Sequence, residues 1–280
     1  MIRVFPRRTK WTPDDELSFV GPPLLFRPCD RKIPVRISVT FTWDIEEGKR
    51  LLRSWSLFYD DVQLGGPAFN DSGAEFIPGQ FILKGVTITS RGCYKTCPWC
   101  YVPLREKTIR EIQIKDGWII QDNNILACSE QHLWKVFEML GNQSRAAQFK
   151  GGLDTTLIRK EHIKLFSSIR ISQLWFACDS HGGLPSLSRA AGLLRDYPRY
   201  KKYCYALIGF GGESLETAEK RLRNIYALGF LPFAQLYQDD NKIKHTKEWL
   251  KLQRNWSRPA IFKTIMKEDN TGEGNKSEIT

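Results

Sequence analysis

The chain has 280 residues, 41% of them hydrophobic, which is enough to bury one large α/β core or a catalytic domain with a small companion. Lys and Arg number 42 against 31 Asp and Glu, a formal charge of +11, and no run approaches the roughly 18 apolar residues of a membrane span. These figures exclude fibrous and membrane-spanning classes; the basic N-terminus lacks the apolar stretch of a secretory signal, so a soluble, cytoplasmic protein with reduced thiols is expected.

Residues 1–34 carry Pro6, Pro13, Pro22, Pro23, Pro28 and Pro34 with little periodicity and read as an extended arm. "VRISVTF", 35–41, alternates as a strand does. A helix then follows from a capping Asp44, with Leu51, Leu52 and Trp55 on one side, and "DVQLGGPAF" from Asp61 is a second strand. That β-α-β unit should lay its two strands parallel. From Gly79 onward, strands are expected at 85–90, 117–123, 146–154, 173–179, 204–210 and 231–237, with helices starting at Ser129, Arg159, Leu184 and Ser214. Such alternation predicts a parallel sheet, closed into a barrel or open, with chemistry on the loops leaving the C-terminal strand ends. Residues 267–280, "KEDNTGEGNKSEIT", have no apolar pattern and should be disordered.

The basic residues in "EKRLRNI" and "KHTKEWLKLQR" read as solvated helix faces, and no RNA-binding signature accompanies them. A nucleic-acid-binding module with a structural, metal-bound cysteine loop is therefore the second reading, not the first.

"RGCYKTCPWCYVP", 91–103, holds Cys93, Cys97 and Cys100, three of seven cysteines in the chain. A zinc site of four ligands would have to recruit the fourth from elsewhere, because Cys29, Cys128, Cys178 and Cys204 are singles in separate segments. An odd cysteine count argues against a disulfide framework. An iron-sulfur cluster fits three thiolates better, and a [4Fe-4S] cube held by only three leaves one iron open.

C-x3-C-x2-C, with Trp99 before its last cysteine and directly after an expected strand, resembles the cluster loop of the radical S-adenosylmethionine (SAM) superfamily. The resemblance runs over roughly residues 80 to 240 and implies an enzyme built on a partial (β/α)6 parallel barrel. It implies an oxidoreductase whose open iron chelates SAM, whose C–S bond is cleaved by one electron, and whose 5′-deoxyadenosyl radical abstracts hydrogen from a substrate the residues do not name. It also implies a small electron-donor protein, such as a flavodoxin or ferredoxin, as partner. Carried onto this chain, Cys93, Cys97 and Cys100 are the metal ligands. Asp122, Asn123 and Asn124 stand where the family holds the SAM amino end, although its common Gly-Gly-Glu is missing there. Gly151, Gly152 and Asp154 close the next strand, and Asp179, in Cys178–Ser180, the one after. Gly209, in "LIGFGGES", resembles the family's Gly-rich turn beside SAM, and the resemblance implies that "FAQLY" places backbone near the adenine, with Gln235 and Tyr237 pointing toward the site. His132, His162, His181 and His245 are isolated; His181, after "CDS", is a candidate for proton transfer.

The front β-α-β unit, with Gly65, Gly66 and Pro67, resembles a shortened cobalamin-binding Rossmann-like domain found in one subgroup of that superfamily. Residues 1–131 contain no histidine to act as lower ligand, so cobalamin is not expected. A methylthiotransferase would need cysteines for a second cluster, and only Cys29 precedes the triplet. The expected organisation is 1–79 arm and degenerate Rossmann-like unit, 80–265 radical SAM partial barrel, and 266–280 disordered tail.

Overall fold

The N-terminal prolines separate strands rather than abolish them. A computed structural model describes residues 1–70, 75–106, 108–239 and 242–274, with side chains through residue 266. It falls into two units, Met1–Ala147 with Asp240–Lys242, and Gln148–Asp239 with Ile243–Thr280. The chain is mixed α/β with parallel sheets.

In the first unit, β1 (Ile2–Phe5), β2 (Ser18–Val20), β3 (Val35–Ser38) and β4 (Val62–Gly65) form a sheet in the order β2-β1-β3-β4, every pair parallel. The expected β-α-β unit is present as β3, α1 (Ile45–Ser56) and β4. The stretch read as an extended arm supplies β1 and β2 instead. Pro6, Pro22 and Pro34 lie just outside the strands, where no ladder N–H is needed. Four residues are too few to show a period, and the pairing that defines β1, Ile2 with Val35, reaches 33 positions along the chain. All four β1 residues are buried. Arg3 is tolerated there because it donates to the carbonyls of Gly79 (3.3 Å) and Gln80 (3.0 Å) and pairs with Asp15. Helix α1 covers the sheet with Leu51 and Trp55, both fully buried and each contributing about 2–3 kcal/mol through removal of apolar surface from water. Its Gly48 lets the helix approach closely: a Cβ there would stand 2.6 Å from a Val39 methyl.

The rest of this unit comprises β5 (Val86–Thr87), β6 (Ser90–Arg91), α2 (Val102–Glu106), β7 (Arg110–Glu111), β8 (Ile119–Ile120) and α3 (Glu130–Gly141). The strand expected at 85–90 is broken in two. β5 pairs in parallel with β8, whereas β6 pairs antiparallel with β7. Between them, the Thr89 N–H leaves the ladder for the carboxylate of Asp122 at 2.7 Å.

In the second unit, β9 (Ala147–Leu153), β10 (Ile171–Ala177), β11 (Lys202–Ile208) and β12 (Leu231–Leu236) lie in the order β12-β11-β10-β9, with the β10–β11 and β11–β12 pairs parallel. Helices α4 (Lys160–Ser167), α5 (Leu184–Leu193) and α6 (Leu215–Ala227) alternate with them, as the hydrophobic period requires. Ser214 caps α6 by accepting from the Thr217 N–H at 3.1 Å. Trp175 stacks on Tyr203 at 4.4 Å, and Lys150 Nζ lies 4.8 Å from the centre of the Trp175 ring. Helices α7 (Lys247–Trp256) and α8 (Pro259–Gly274) close the described chain; the expectation of disorder at 267–280 falls, for residues 275–280, outside the described residues. Among the described residues, no helix is long and apolar enough to cross a membrane.

Candidate metal centre

The three cysteines lie on the loop between β6 and α2, and the loop is clamped at its base. Ser90 pairs with Glu111 and Arg91 with Arg110 across the antiparallel β6–β7 ladder. Glu106, at the end of α2, sits between Arg91 (3.5 Å) and Arg110 (3.3 Å). Gly92 is buried at φ +89°, and a Cβ on it would fall 2.0 Å from the Thr108 carbonyl oxygen, so no other residue fits where the chain enters the loop. Within the loop the Cys100 N–H donates to the Cys97 carbonyl at 3.0 Å, turning these two cysteines onto one bend. All three cysteines are partly exposed, and none of the chain's seven is in a disulfide.

The "DNN" triplet is the buttress of this loop. Three consecutive side chains reach back about thirty residues to three successive points. Asp122, 1% exposed, accepts from the Thr89 N–H, the Thr89 hydroxyl and the Ser90 hydroxyl, each at 2.7 Å. Asn123 Oδ1 accepts from the Gly92 N–H at 2.9 Å. Asn124 Nδ2 donates to Cys93 Sγ at 3.5 Å, and the Lys95 N–H donates to the same sulfur at 3.4 Å. Burial pushes the Asp122 carboxyl above the usual carboxylate range, with the Thr89 and Ser90 hydrogen bonds opposing it.

Behind the buttress runs a polar chain that sequence reasoning missed. His132, on α3, shares a hydrogen bond of 3.2 Å with the Thr89 hydroxyl, and its Nδ1 lies 3.7 Å from Glu111. Burial pushes Glu111 up, but the Ser129 N–H and hydroxyl and the nearby His132 outweigh it and hold the carboxyl low. The available signal was position: His132 is the first histidine after the cysteines and lies one turn into a helix capped by Ser129. Cys128, beside this chain, is pushed up to about 11 by burial and is an inert thiol.

The remaining predicted site residues belong to the second unit and cluster at the ends of its strands. Gly151 and Gly152 are among the last residues of β9, Gly152 at φ +96° with open space where a Cβ would stand. Asp154 follows and is occupied locally, accepting from the Thr156 N–H (3.0 Å) and hydroxyl (2.7 Å). Asp179, after β10, accepts from the Leu207 N–H at 2.9 Å. Gln235 is exposed on β12. His181 is exposed, its Nε2 3.3 Å from the Thr217 carbonyl.

Gly209 leads into a turn organised by an ion pair that runs against the sequence reading. Arg221, in the segment read as a solvated face, is 1% exposed. Its guanidinium donates to the Cys178 carbonyl (2.9 Å), the Leu207 carbonyl (2.6 Å) and Glu213 (2.7 Å). Glu213 in turn accepts from the Gly209 N–H at 3.1 Å. The planar fork satisfies three acceptors at once, which is why an arginine can be buried on this face.

Three soft sulfur ligands within eight positions are the donor type that an iron-sulfur cube takes, and the N–H groups directed at Cys93 Sγ would stabilise a thiolate there. Among the described residues, no group of three or more His, Cys, Asp or Glu side chains is placed to hold a metal ion. No protein-family model matches the chain, and no curated protein matches it.

Proposed function

We propose that the chain is a radical SAM enzyme holding a [4Fe-4S] cluster through Cys93, Cys97 and Cys100, with strands β5, β8 and β9 to β12 as a partial (β/α)6 barrel. One observation carries the reading: the loop that presents C-x3-C-x2-C is braced point by point by Asp122, Asn123 and Asn124, and the brace ends in an N–H aimed at a cysteine sulfur. When bound, the cluster would supply the electron that cleaves SAM to a 5′-deoxyadenosyl radical for hydrogen abstraction.

The chain's own residues provide position. Gly92 and the Glu106 pairs fix the loop's entry and exit, and Asp122 takes the Thr89 N–H at the break between β5 and β6 while its other oxygen holds the Ser90 hydroxyl. In the second unit, the buried Arg221–Glu213 pair holds the turn after β11, where Gly211 and Gly212 have open space for a ligand to approach the backbone. A small electron-donor protein and a cytoplasmic setting belong to the same reading.

Anaerobic reconstitution with iron and sulfide should give a brown protein with thiolate–iron charge-transfer absorbance, lost in Cys93→Ala, Cys97→Ala and Cys100→Ala. Dithionite and SAM should then release 5′-deoxyadenosine. A fully loaded protein that forms none overturns the proposal. About one equivalent of zinc together with tight, salt-sensitive RNA binding would identify a nucleic-acid-binding module instead.

A further inference from the structure

The front sheet carries a cavity at the position where its topology predicts a ligand. From β1 the chain moves outward to β2, and from β3 it moves through α1 to β4 on the other side, so the connections diverge between β1 and β3. In open parallel sheets, ligands bind in the crevice at that divergence, outside the strands' C-terminal ends. A cavity of about 180 Å³ opens there, lined by Phe5 and Arg7 after β1, Phe41 and Asp44 after β3, and Trp11 and Phe81 from the flanking loops. An apolar cavity of about 150 Å³ accepts a benzene ring, so this one has room for a single ring with substituents.

Its walls are preformed. Thr9 and Thr12 bond to one another through Thr9 N–H to Thr12 Oγ1 at 2.8 Å, and the Leu83 N–H donates to the Trp11 carbonyl at 2.8 Å. Phe41 is stacked on Trp43 at 4.7 Å. Besides the hydroxyls of Thr9, Thr12, Ser38 and Thr40, the lining includes a charged pair, Asp44, 5% exposed, with Arg7. Asp44 stands at the N-cap of α1, where an aspartate ordinarily folds back onto the helix N–H groups; here the side chain makes no cap bond and turns to Arg7. The cavity therefore presents, side by side, a carboxylate that accepts and a guanidinium that donates, amid aromatic walls.

We propose that this cavity is a binding site for a nucleobase-like nitrogen heterocycle, with Asp44 accepting from a ring or exocyclic N–H and Arg7 donating to the adjacent acceptor. The aromatic walls take the ring faces. The site is built wholly from the front sheet and its loops and does not depend on the cysteine loop, so the two proposals stand or fall separately.

The test is isothermal titration of the full-length protein, before iron loading, with uracil, cytosine and adenine, and with the N-methylated form of whichever base binds. At least one base should bind saturably, and methylation of its N–H should weaken binding about tenfold or more, the loss of a hydrogen bond to a charged group. Asp44→Asn should weaken it by a similar factor, and Ile82→Trp, which fills the cavity from its rim, should abolish it with the circular dichroism spectrum unchanged. The proposal is overturned if the folded protein binds none of the three bases, if methylation changes nothing, or if Ile82→Trp binds like the wild type.

Discussion

The amide of Asn124 donates to Sγ of Cys93 at 3.5 Å, across thirty-one residues of chain. An N–H directed at a thiolate stabilises the more electron-rich, reduced state of a bound cluster. In reconstituted Asn124→Ala the reduction potential should fall by about 40 mV if the bond contributes about 1 kcal/mol, as measured by a spectroscopically monitored redox titration. A potential equal to that of the wild type would show that the bond has no part in tuning the cluster.

Asp122 makes stability depend on pH in a defined direction. Burial raises its folded pKa above the unfolded value, so the folded chain keeps this proton to higher pH. The associated stability is complete below the unfolded carboxylate pKa, about 4, and is lost as pH rises through the folded value. His132, through Thr89, Glu111, beside His132, and the Cys128 thiol, which meets Ser90 and Asp122, are the other titratable groups facing this region. Asp122→Asn keeps an oxygen for the Thr89 N–H, and the two hydroxyls can turn to accept from its NH2, so its urea midpoint should decline less as pH rises from about 4 than that of the wild type. Asp122→Ala, which strands those donors, should cost about 3 kcal/mol.

Gly92→Ala tests the loop entry. A methyl group 2.0 Å from the Thr108 carbonyl, on a backbone at φ +89°, forces the hairpin base apart. The variant should lose about 2 kcal/mol or more of stability and bind clearly less iron per chain on reconstitution, with limited proteolysis cutting the 92–109 loop faster.

Arg221→Ala leaves the Glu213 carboxylate and the carbonyls of Cys178 and Leu207 without their shared donor. Breaking a buried pair of this kind costs about 3–5 kcal/mol, readable as a lowered urea midpoint. Arg221→Lys keeps the charge but not the fork and should recover only part of the loss. A near-neutral Arg221→Ala would contradict the organising role assigned to this pair.

The parts of this protein legible in the sequence are those whose cause is local. Ser129 and Ser214 cap helices because a hydroxyl reaches an N–H three residues on, and the strands at 146–154, 204–210 and 231–237 announce themselves by alternation and by the residues that bound them. The cysteine spacing was equally plain. What only the tertiary structure decided lies at long range. The N-terminal strands are too short to carry a period and are defined by pairing, β1 with β3 and β2 with β1; Arg221 is buried because three acceptors from separate segments converge on it; and "DNN" braces a loop thirty residues away. A side chain's own chemistry is written at its position, but its partner is chosen by how the chain folds back, and no local pattern records that choice.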